Sequence, residues 1–436
     1  MKINLAGAAS DIFLKTIREI DVEKVVEAAL ERQGTNLRVV EEELDLAPIR
    51  RLVVIAIGKA ALPMARAAGR RLGDRLTAGI VATNEEQVGA PPGFHLFTGG
   101  HPVPNQGSLD AARAALELLQ RVDSPQTLVL FLISGGGSAL FERPVDETIT
   151  LADLQEVNRV LVGCGAVIGE MNVVRRFLSA VKGGRLAAAA PRSRQISLII
   201  SDVNHDDLTT VSSGPTLRGR VTRDDFDRIV GEYRLLESFP PRVASLIKAG
   251  RLPEMPVSGE GPPSPAYLLL DNRVALEKAR RIAEDDYQCV VEIAADLVEG
   301  EVEEMAAIHL ARLGALREAH PGRRVCLISG GEVICPVRGD GEGGRNQEFV
   351  LRAIRASRLA EVAILSGGTD GIDGRSPAAG AIADQSTLAR ATAAGLDPAD
   401  YLRRSDSYNF FAQLGSAIVT GPTGNNVRDL RILLTC

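Results

Sequence analysis

The sequence predicts an α/β protein with a mainly parallel sheet, and three observations carry that expectation. Short aliphatic runs, LVVIAI at 52–57, LVLFLI at 128–133 and ISLII at 196–200, alternate with longer segments of helical periodicity, the pattern of strands joined by crossover helices. The first two runs are apolar at every position, which suits strands covered on both faces. Three strand-like runs end in the same signal, Ser-Gly-Gly, at Ser134, Ser329 and Ser366. Glycines there let the backbone turn sharply and approach a ligand, and open α/β sheets bind ligands at the carboxyl ends of their strands.

A chain of 436 residues exceeds what one core usually serves, so two domains are expected. A net charge of −6 without any Lys/Arg block argues against nucleic acid or an anionic membrane as partner, and the expected partner is a small molecule. The five cysteines include no CxxC pair and no histidine at metal-finger spacing, so neither a disulfide framework nor a zinc site is indicated and the cytoplasm is the expected compartment. The start, MKINLAGAASDIF, lacks the apolar core of a targeting segment.

Taken in order, helical spacing begins at Ser10, read as its cap, with Ile12, Phe13, Ile17, Ile20, Val25, Val26 and Leu30 on the apolar side. The strand at 52–57 ends in Gly58-Lys59-Ala60-Ala61, with a helix from Pro63. A short strand at 79–82 precedes the stiff loop HPVPNQGS, whose Ser108 is read as the cap of an Ala-rich helix reaching Val122. The strand at 128–133 runs into Ser134-Gly135-Gly136-Gly137-Ser138, a turn suited to cradling phosphate oxygens on backbone N–H groups. Helical patterns at 151–182 carry Arg175 and Arg176, one read as solvated and the other as an anion ligand, and end in Lys182-Gly183-Gly184-Arg185. The strand at 196–200 ends in Ser201-Asp202-Val203, before the hydroxyl-rich turn Ser212-Ser213-Gly214-Pro215-Thr216.

Prolines crowd 238–265, which sets the expected division: a first domain at 1–240, a linker at 241–265 and a second domain at 266–436. In the second domain, strands at 267–270, 325–328 and 362–365 end at Asp271-Asn272, at Ser329-Gly330-Gly331-Glu332 and at Ser366-Gly367-Gly368-Thr369-Asp370. GEGGRNQEF places Arg345 just before a helix, and DSYNFF and TGPTGNN precede a closing strand at 430–434.

A dinucleotide fold should carry GxGxxG after its first strand. The turn here reads GKAALPMA, with one glycine followed by a lysine, and no Walker loop, HEXXH, GxSxG or protein-kinase motif set occurs. Phosphoryl transfer needs cations, backbone donors for phosphate and carboxylates for a divalent ion. Strand ends supply each: Lys59 and Arg345, the Ser134 to Ser138 turn, and Asp202 and Asp370. The bland alternatives are a solvated Lys59, an Arg345 paired with Glu342 or Glu348, and aspartates acting as caps. His101 and His205 lack a positioned nucleophile and are read as surface or structural.

Together, GKAA at 58–61, HPVPN, LISGGGSAL, EMNVVRRFLSAVKGGRLA, SDV, SSGPT, SGGE, GGRNQE, GTDGIDG, DSYNFF and TGPTGNNVRDL resemble the glycerate 2-kinase family, whose members end in a MOFRL domain. The resemblance runs in order over nearly the whole chain. It implies ATP-dependent phosphorylation of glycerate to 2-phosphoglycerate with Mg²⁺ or another divalent cation. It also implies two α/β domains, the N-terminal one Rossmann-like, with the active site in the interdomain cleft, and leaves a homodimer open. Carried over, Lys59 and Arg345 are the catalytic cations and bind substrate, with Arg345 alternatively the clamp on the glycerate carboxylate. Asp202 and Asp370 are metal-linked carboxylates or the acceptor of the hydroxyl proton. Ser134, Gly135, Gly136, Gly137 and Ser138 hold nucleotide phosphate, and Lys182, Gly183, Gly184, Ser213, Gly214, Pro215, Thr216 and Asn272 line the nucleotide site. Asn346 and Asn409 join the substrate contacts.

Three departures from the family pattern stand out: Phe177 where members commonly have histidine, Asn204-His205-Asp206 after the SDV strand end, and Asn425 in GPTGNNV. The first two are expected to lie near bound glycerate or nucleotide. The alternatives carried forward are an NAD(P)H-dependent hydroxypyruvate reductase, a name some family members bear, a kinase on a related small sugar acid, and a non-catalytic sensor.

Overall fold

A computed structural model describes residues 4–85, 89–203, 207–256 and 264–436. Asn204, His205 and Asp206, and residues 257–263 of the proline-rich stretch, lie outside the described residues. The chain forms two compact units, Val22–Leu269 and Met1–Asp21 together with Leu270–Cys436. No helix among the described residues is long and apolar enough to cross a membrane.

The unit Val22–Leu269 is built on a six-stranded sheet whose order across the sheet is Phe94–Thr98, Leu76–Thr83, Arg51–Ile57, Thr127–Ile133, Arg194–Ile200 and Ala266–Leu270. The four pairings among the first five strands are parallel. Numbered along the chain this is the order 3-2-1-4-5-6, the doubly wound arrangement in which the connection reverses direction between strands one and four. Every residue of Thr127–Ile133 is buried, as expected for a strand with helices on both faces. The helices Ala61–Leu72 and Gln106–Val122 supply alanine-rich faces to the sheet, and the small side chains let helix and strand approach closely. A separate helical core gathers Leu151–Gly163, Ile168–Leu178, Arg223–Glu232 and Pro241–Lys248.

The second unit carries a mixed sheet in the order Val290–Ile293, Val325–Ser329, Asp429–Thr435, Val362–Gly368, Gly380–Asp384, Ala417–Ile418. Here the parallel expectation fails except at its first pair, because the closing strand Asp429–Thr435 inserts antiparallel between Val325–Ser329 and Val362–Gly368. One face is covered by Leu5–Glu19 and Asn272–Tyr287, the other by Val302–Ala319 and Arg345–Ala356.

The expected division at 241–265 differs from these units in three places. Residues 241–248 form a helix with Val243, Leu246 and Ile247 buried in the helical core. Strand Ala266–Leu270 extends the first sheet. The first helix belongs with the C-terminal unit, since its Ile12 and Phe13 pack among Leu276, Ala363 and Leu430. Proline density marked a turn-rich segment, but apolar burial decides unit membership. Two caps also move. The first helix starts at Leu5, with Asn4 accepting from the Gly7 N–H at 3.2 Å, and Asn105 caps Gln106–Val122, with Ser108 completing a reciprocal capping box.

Candidate active site

The reversal point of the first sheet lies between Arg51–Ile57 and Thr127–Ile133, and the turns that follow these two strands interlock. Lys59 N–H donates to the Gly135 carbonyl at 2.9 Å. The Ser134 hydroxyl accepts from Ala60 N–H at 3.0 Å and lies 3.3 Å from the Ile57 carbonyl, to which it donates. This approach requires Gly58, which has φ +116 and whose Cβ, if present, would stand 2.3 Å from Ser134 Oγ. Gly136, at φ +83, faces the Lys59 side chain and His101, and Gly135 faces the Asp202 carboxylate. The structure therefore brings Lys59, the glycine turn, His101 and Asp202 together. The Lys59 ammonium has no hydrogen bond or ion pair among the described residues, and neither do the backbone N–H groups of Gly135 and Gly136. Burial pushes the His101 imidazole below its usual range, with the Lys59 charge adding to the effect. Both effects favour the neutral form of the ring.

The remaining turn groups are engaged within the fold. Gly137 N–H donates to the Ser212 hydroxyl at 3.0 Å, and that hydroxyl donates to the Ser134 carbonyl at 2.6 Å. The Ser138 and Ser213 hydroxyls are 2.7 Å apart. The 182–186 and 213–215 segments pair through Gly183 N–H to the Ser213 carbonyl, Gly184 N–H to the Gly214 carbonyl and Leu186 N–H to the Pro215 carbonyl, and Thr216 bonds Ser197 at 2.8 Å. Lys182 is buried and ion-paired to Glu142, which also accepts from the Ser179 hydroxyl. These two segments buttress the turn, and Lys182 reaches it only through the fold. Arg176 donates to the Thr209 carbonyl at 2.6 Å and is buried, while Arg175 lines a cavity; neither is a solvated surface arginine. Phe177 is fully buried in the helical core, its ring 4.7 Å from that of Phe226. The expectation that Phe177 sits beside a ligand is therefore corrected: its helix turns this position inward.

In the second unit Arg345 opens its helix and is clamped by Asp429, with Nε and Nη2 donating at 2.7 and 3.0 Å, and by Glu332 at 3.1 Å. Glu342 and Glu348 are not its partners; Glu348 pairs with Arg352. Burial disfavours the Arg345 charge, but Asp429 and Glu332 outweigh it and the net shift is upward. Asn346 donates to Asp429 at 3.0 Å and accepts from Ser366 at 2.5 Å. Asp373 accepts from the Asn346 and Gln347 N–H groups at 3.1 and 2.9 Å, and burial pushes its carboxyl up to about 6. Arg431, fully buried, donates to the Gly330 carbonyl. Asn272 is taken up by backbone, donating to the carbonyls of Val427 and Asp429 and accepting from Gly331 N–H at 3.1 Å. Asp370 accepts from Ile372 N–H at 3.1 Å, and Asn409 donates to Asp406 at 2.7 Å.

Two free N–H groups beside an unpaired lysine fit a phosphate. No group of three or more His, Cys, Asp and Glu side chains among the described residues could hold a metal by itself. Mg²⁺ keeps waters and substrate phosphates as ligands and needs only one or two protein carboxylates, and the Asp202 carboxylate beside Gly135 is of the kind that would hold it.

Residues 8–248 match a domain described as a domain of unknown function, DUF4147, and residues 325–429 match the MOFRL family. The chain is 36% identical over 399 residues to the D-glycerate 2-kinase of Thermotoga maritima, covering 91% of this chain and 93% of that protein. The chain belongs to the glycerate 2-kinase family. A crystal structure of glycerate kinase from Thermotoga maritima superposes with a TM-score of 0.86 at 33% identity, covering 99% of both chains. A protein of Agrobacterium vitis that bears the name hydroxypyruvate reductase is 37% identical, covering 94% of this chain and 93% of its own.

Within this glycerate 2-kinase fold, sequence reasoning missed Glu142, Asn172, Ser212, Glu332, Asp373, Asp429 and Arg431. Asn172, Ser212, Glu332, Asp373 and Asp429 stand inside quoted motifs and Glu142 two residues past LISGGGSAL, so position in or near a motif was the available signal. Their partners are distant in sequence, 40 residues for Lys182 with Glu142 and 84 for Arg345 with Asp429. Spacing alone carries no trace of such pairs.

Proposed function

We propose that this protein transfers the γ-phosphoryl group of ATP to the 2-hydroxyl of glycerate, giving ADP and 2-phosphoglycerate. The observation that carries this is the unpaired Lys59 beside the free Gly135 and Gly136 N–H groups at the reversal point of a 3-2-1-4-5-6 sheet. In the transfer, the glycerate oxygen bonds to phosphorus as the bond from phosphorus to the ADP oxygen breaks, and the hydroxyl proton passes to a carboxylate. Lys59 and the two N–H groups meet the charge on the equatorial oxygens, and fixed donors of this kind supply much of the rate in such reactions. Asp202, against Gly135, serves as metal-linked carboxylate or proton acceptor, and Asp370 is assigned the same alternatives. Arg345 serves as second cation, held in place by Asp429. A divalent ion, when bound, would neutralise charge across the β- and γ-phosphates. Lys182, Gly183, Gly184 and Ser213 to Thr216 shape the turn rather than touch the nucleotide.

The relative named hydroxypyruvate reductase supports a second reading, NAD(P)H-dependent reduction. Against it stands the first turn, where Ala60 and Pro63 occupy the positions a dinucleotide fingerprint gives to its second and third glycines. One coupled assay separates the two. ATP, Mg²⁺ and D-glycerate are expected to yield ADP and 2-phosphoglycerate in equal amounts. Oxidation of NADH or NADPH with hydroxypyruvate, with no ADP formed from glycerate, overturns the kinase proposal, and turnover of another small sugar acid in glycerate's place revises only the acceptor.

A further inference from the structure

The unit Val22–Leu269 contains a cavity of about 220 Å³ that opens beside the Lys59 turn: Gly136, Ser138 and His101 are in its lining. The rest of the wall is largely apolar, from Leu154, Val157, Leu161 and Leu178, and into it faces Arg175. The Arg175 guanidinium is oriented by two neutral amides, donating to Asn158 Oδ1 at 2.7 Å and Asn172 Oδ1 at 3.3 Å. It has no ion pair among the described residues. Glu142 also lines the cavity, but its charge is matched by the buried Lys182. Burial lowers the Arg175 guanidinium from its ordinary range, with Glu142 opposing, so its positive charge lacks the compensation that buried charges normally have. Asn172 in turn accepts from the Ser213 hydroxyl at 3.2 Å, which ties the arginine's support to the segment that buttresses the glycine turn.

The contrast with Arg345 is direct. That guanidinium already holds a carboxylate in both prongs of its fork, whereas Arg175 offers a fork with none. A polyphosphate carries several charges and needs cations or water on all sides, which leucine and valine walls do not supply. A single carboxylate on a small body matches one guanidinium bidentately and leaves the apolar wall dry. We propose that this cavity is the acceptor subsite and that Arg175 binds the carboxylate of the 2-hydroxy acid, presenting its hydroxyl to the Gly136 and Lys59 end. This rests on the kinase reading for the reaction, but not for the binding.

The test uses the full chain with Arg175→Ala, Arg175→Lys and Asn158→Asp, the last placing a carboxylate against Arg175 without removing it. With D-glycerate varied, KM is expected to rise on the order of 30-fold in Arg175→Ala and Asn158→Asp, the cost of one charge-assisted contact, while KM for ATP stays within about twofold. Arg175→Lys recovers part of the loss. Arg175→Ala also loses the wild-type preference for glycerate over its uncharged amide. An unchanged glycerate KM in both charge-removing variants, or a rise in the ATP KM instead, overturns the assignment. Calorimetric titration of D-glycerate into wild type and Asn158→Asp reads the subsite without turnover. Binding by wild type that is lost in the variant upholds the subsite even if no phosphoryl transfer is found, and equal binding by both sinks it.

Discussion

Lys59 and Arg345 follow from the same inventory of cations near glycine turns, yet their surroundings are opposite. Lys59 stands beside free N–H groups with no partner among the described residues. Arg345 sits in a built network with Asp429, Glu332, Asn346 and, beyond Asp429, Arg431. The free lysine is a charge waiting for an anion. The clamped arginine is a charge whose position has been fixed in advance, with much of its field cancelled by Asp429. A sequence motif records that a cation is present, but the neighbours decide whether it acts through charge or through placement.

The sharpest test of this contrast is kinetic. Lys59→Ala is expected to lower kcat by about 10³-fold, as for removal of a transition-state donor, with stability changed by no more than about 0.5 kcal/mol because no partner is orphaned. Arg345→Ala is expected to lower kcat as well, but with a drop in thermal midpoint, since buried Asp429 loses its bidentate partner. Equal stability losses in the two variants, measured by calorimetry, would erase the distinction.

Asp429→Asn comes next. It leaves Arg345 with Glu332 as its one carboxylate and Arg431 buried without a facing carboxylate, and urea unfolding should show a loss of about 3–5 kcal/mol, the cost of breaking a buried pair. Burial has already pushed the Arg431 guanidinium down to about 10. A loss below about 1 kcal/mol, the range of an exposed pair, would mean that the network is solvated rather than built.

The smallest expected effect concerns Asp373. Its carboxyl is pushed up to about 6 by burial, from a reference of 3.8. Between those values the folded chain binds more protons than the unfolded chain, so this contribution is full below about pH 4 and is lost as pH rises through 6. It amounts to at most about 3 kcal/mol. Asp373→Asn should flatten that part of the stability profile in urea melts taken from pH 4 to 7. A wild-type profile with the same slope as the variant refutes the shift.

Four strands of the first sheet, Arg51–Ile57, Leu76–Thr83, Thr127–Ile133 and Arg194–Ile200, were legible because they are built on apolar runs, the pattern that burial on both faces demands; the half-exposed Phe94–Thr98 was not read, and Ala266–Leu270 was read into the second domain. Less legible were the meander Leu30–Gln33, Asn36–Val39 and Glu42–Asp45, whose half-exposed strands are mostly polar, and the antiparallel insertion of Asp429–Thr435, since its seven buried residues read the same in either direction. Of the candidate site, Lys59, Asp202 and Ser134 to Ser138 stand at strand ends where the period of the sheet puts them. Lys182 and Asn272 bear the motif but face inward, taken up by Glu142 and by backbone carbonyls.

By itself the sequence determined the α/β class, four of the six sheet strands of the first unit, the cations and the family, because these depend on local periodicity and on motifs contiguous in the chain. Only the tertiary structure decided that Phe177 is core, that Arg345 is clamped while Lys59 and Arg175 lack a carboxylate partner among the described residues, and that the first helix joins the C-terminal unit. Each of those depends on partners dozens to hundreds of residues away, and pairing at that range is set by packing and burial, which no local pattern encodes.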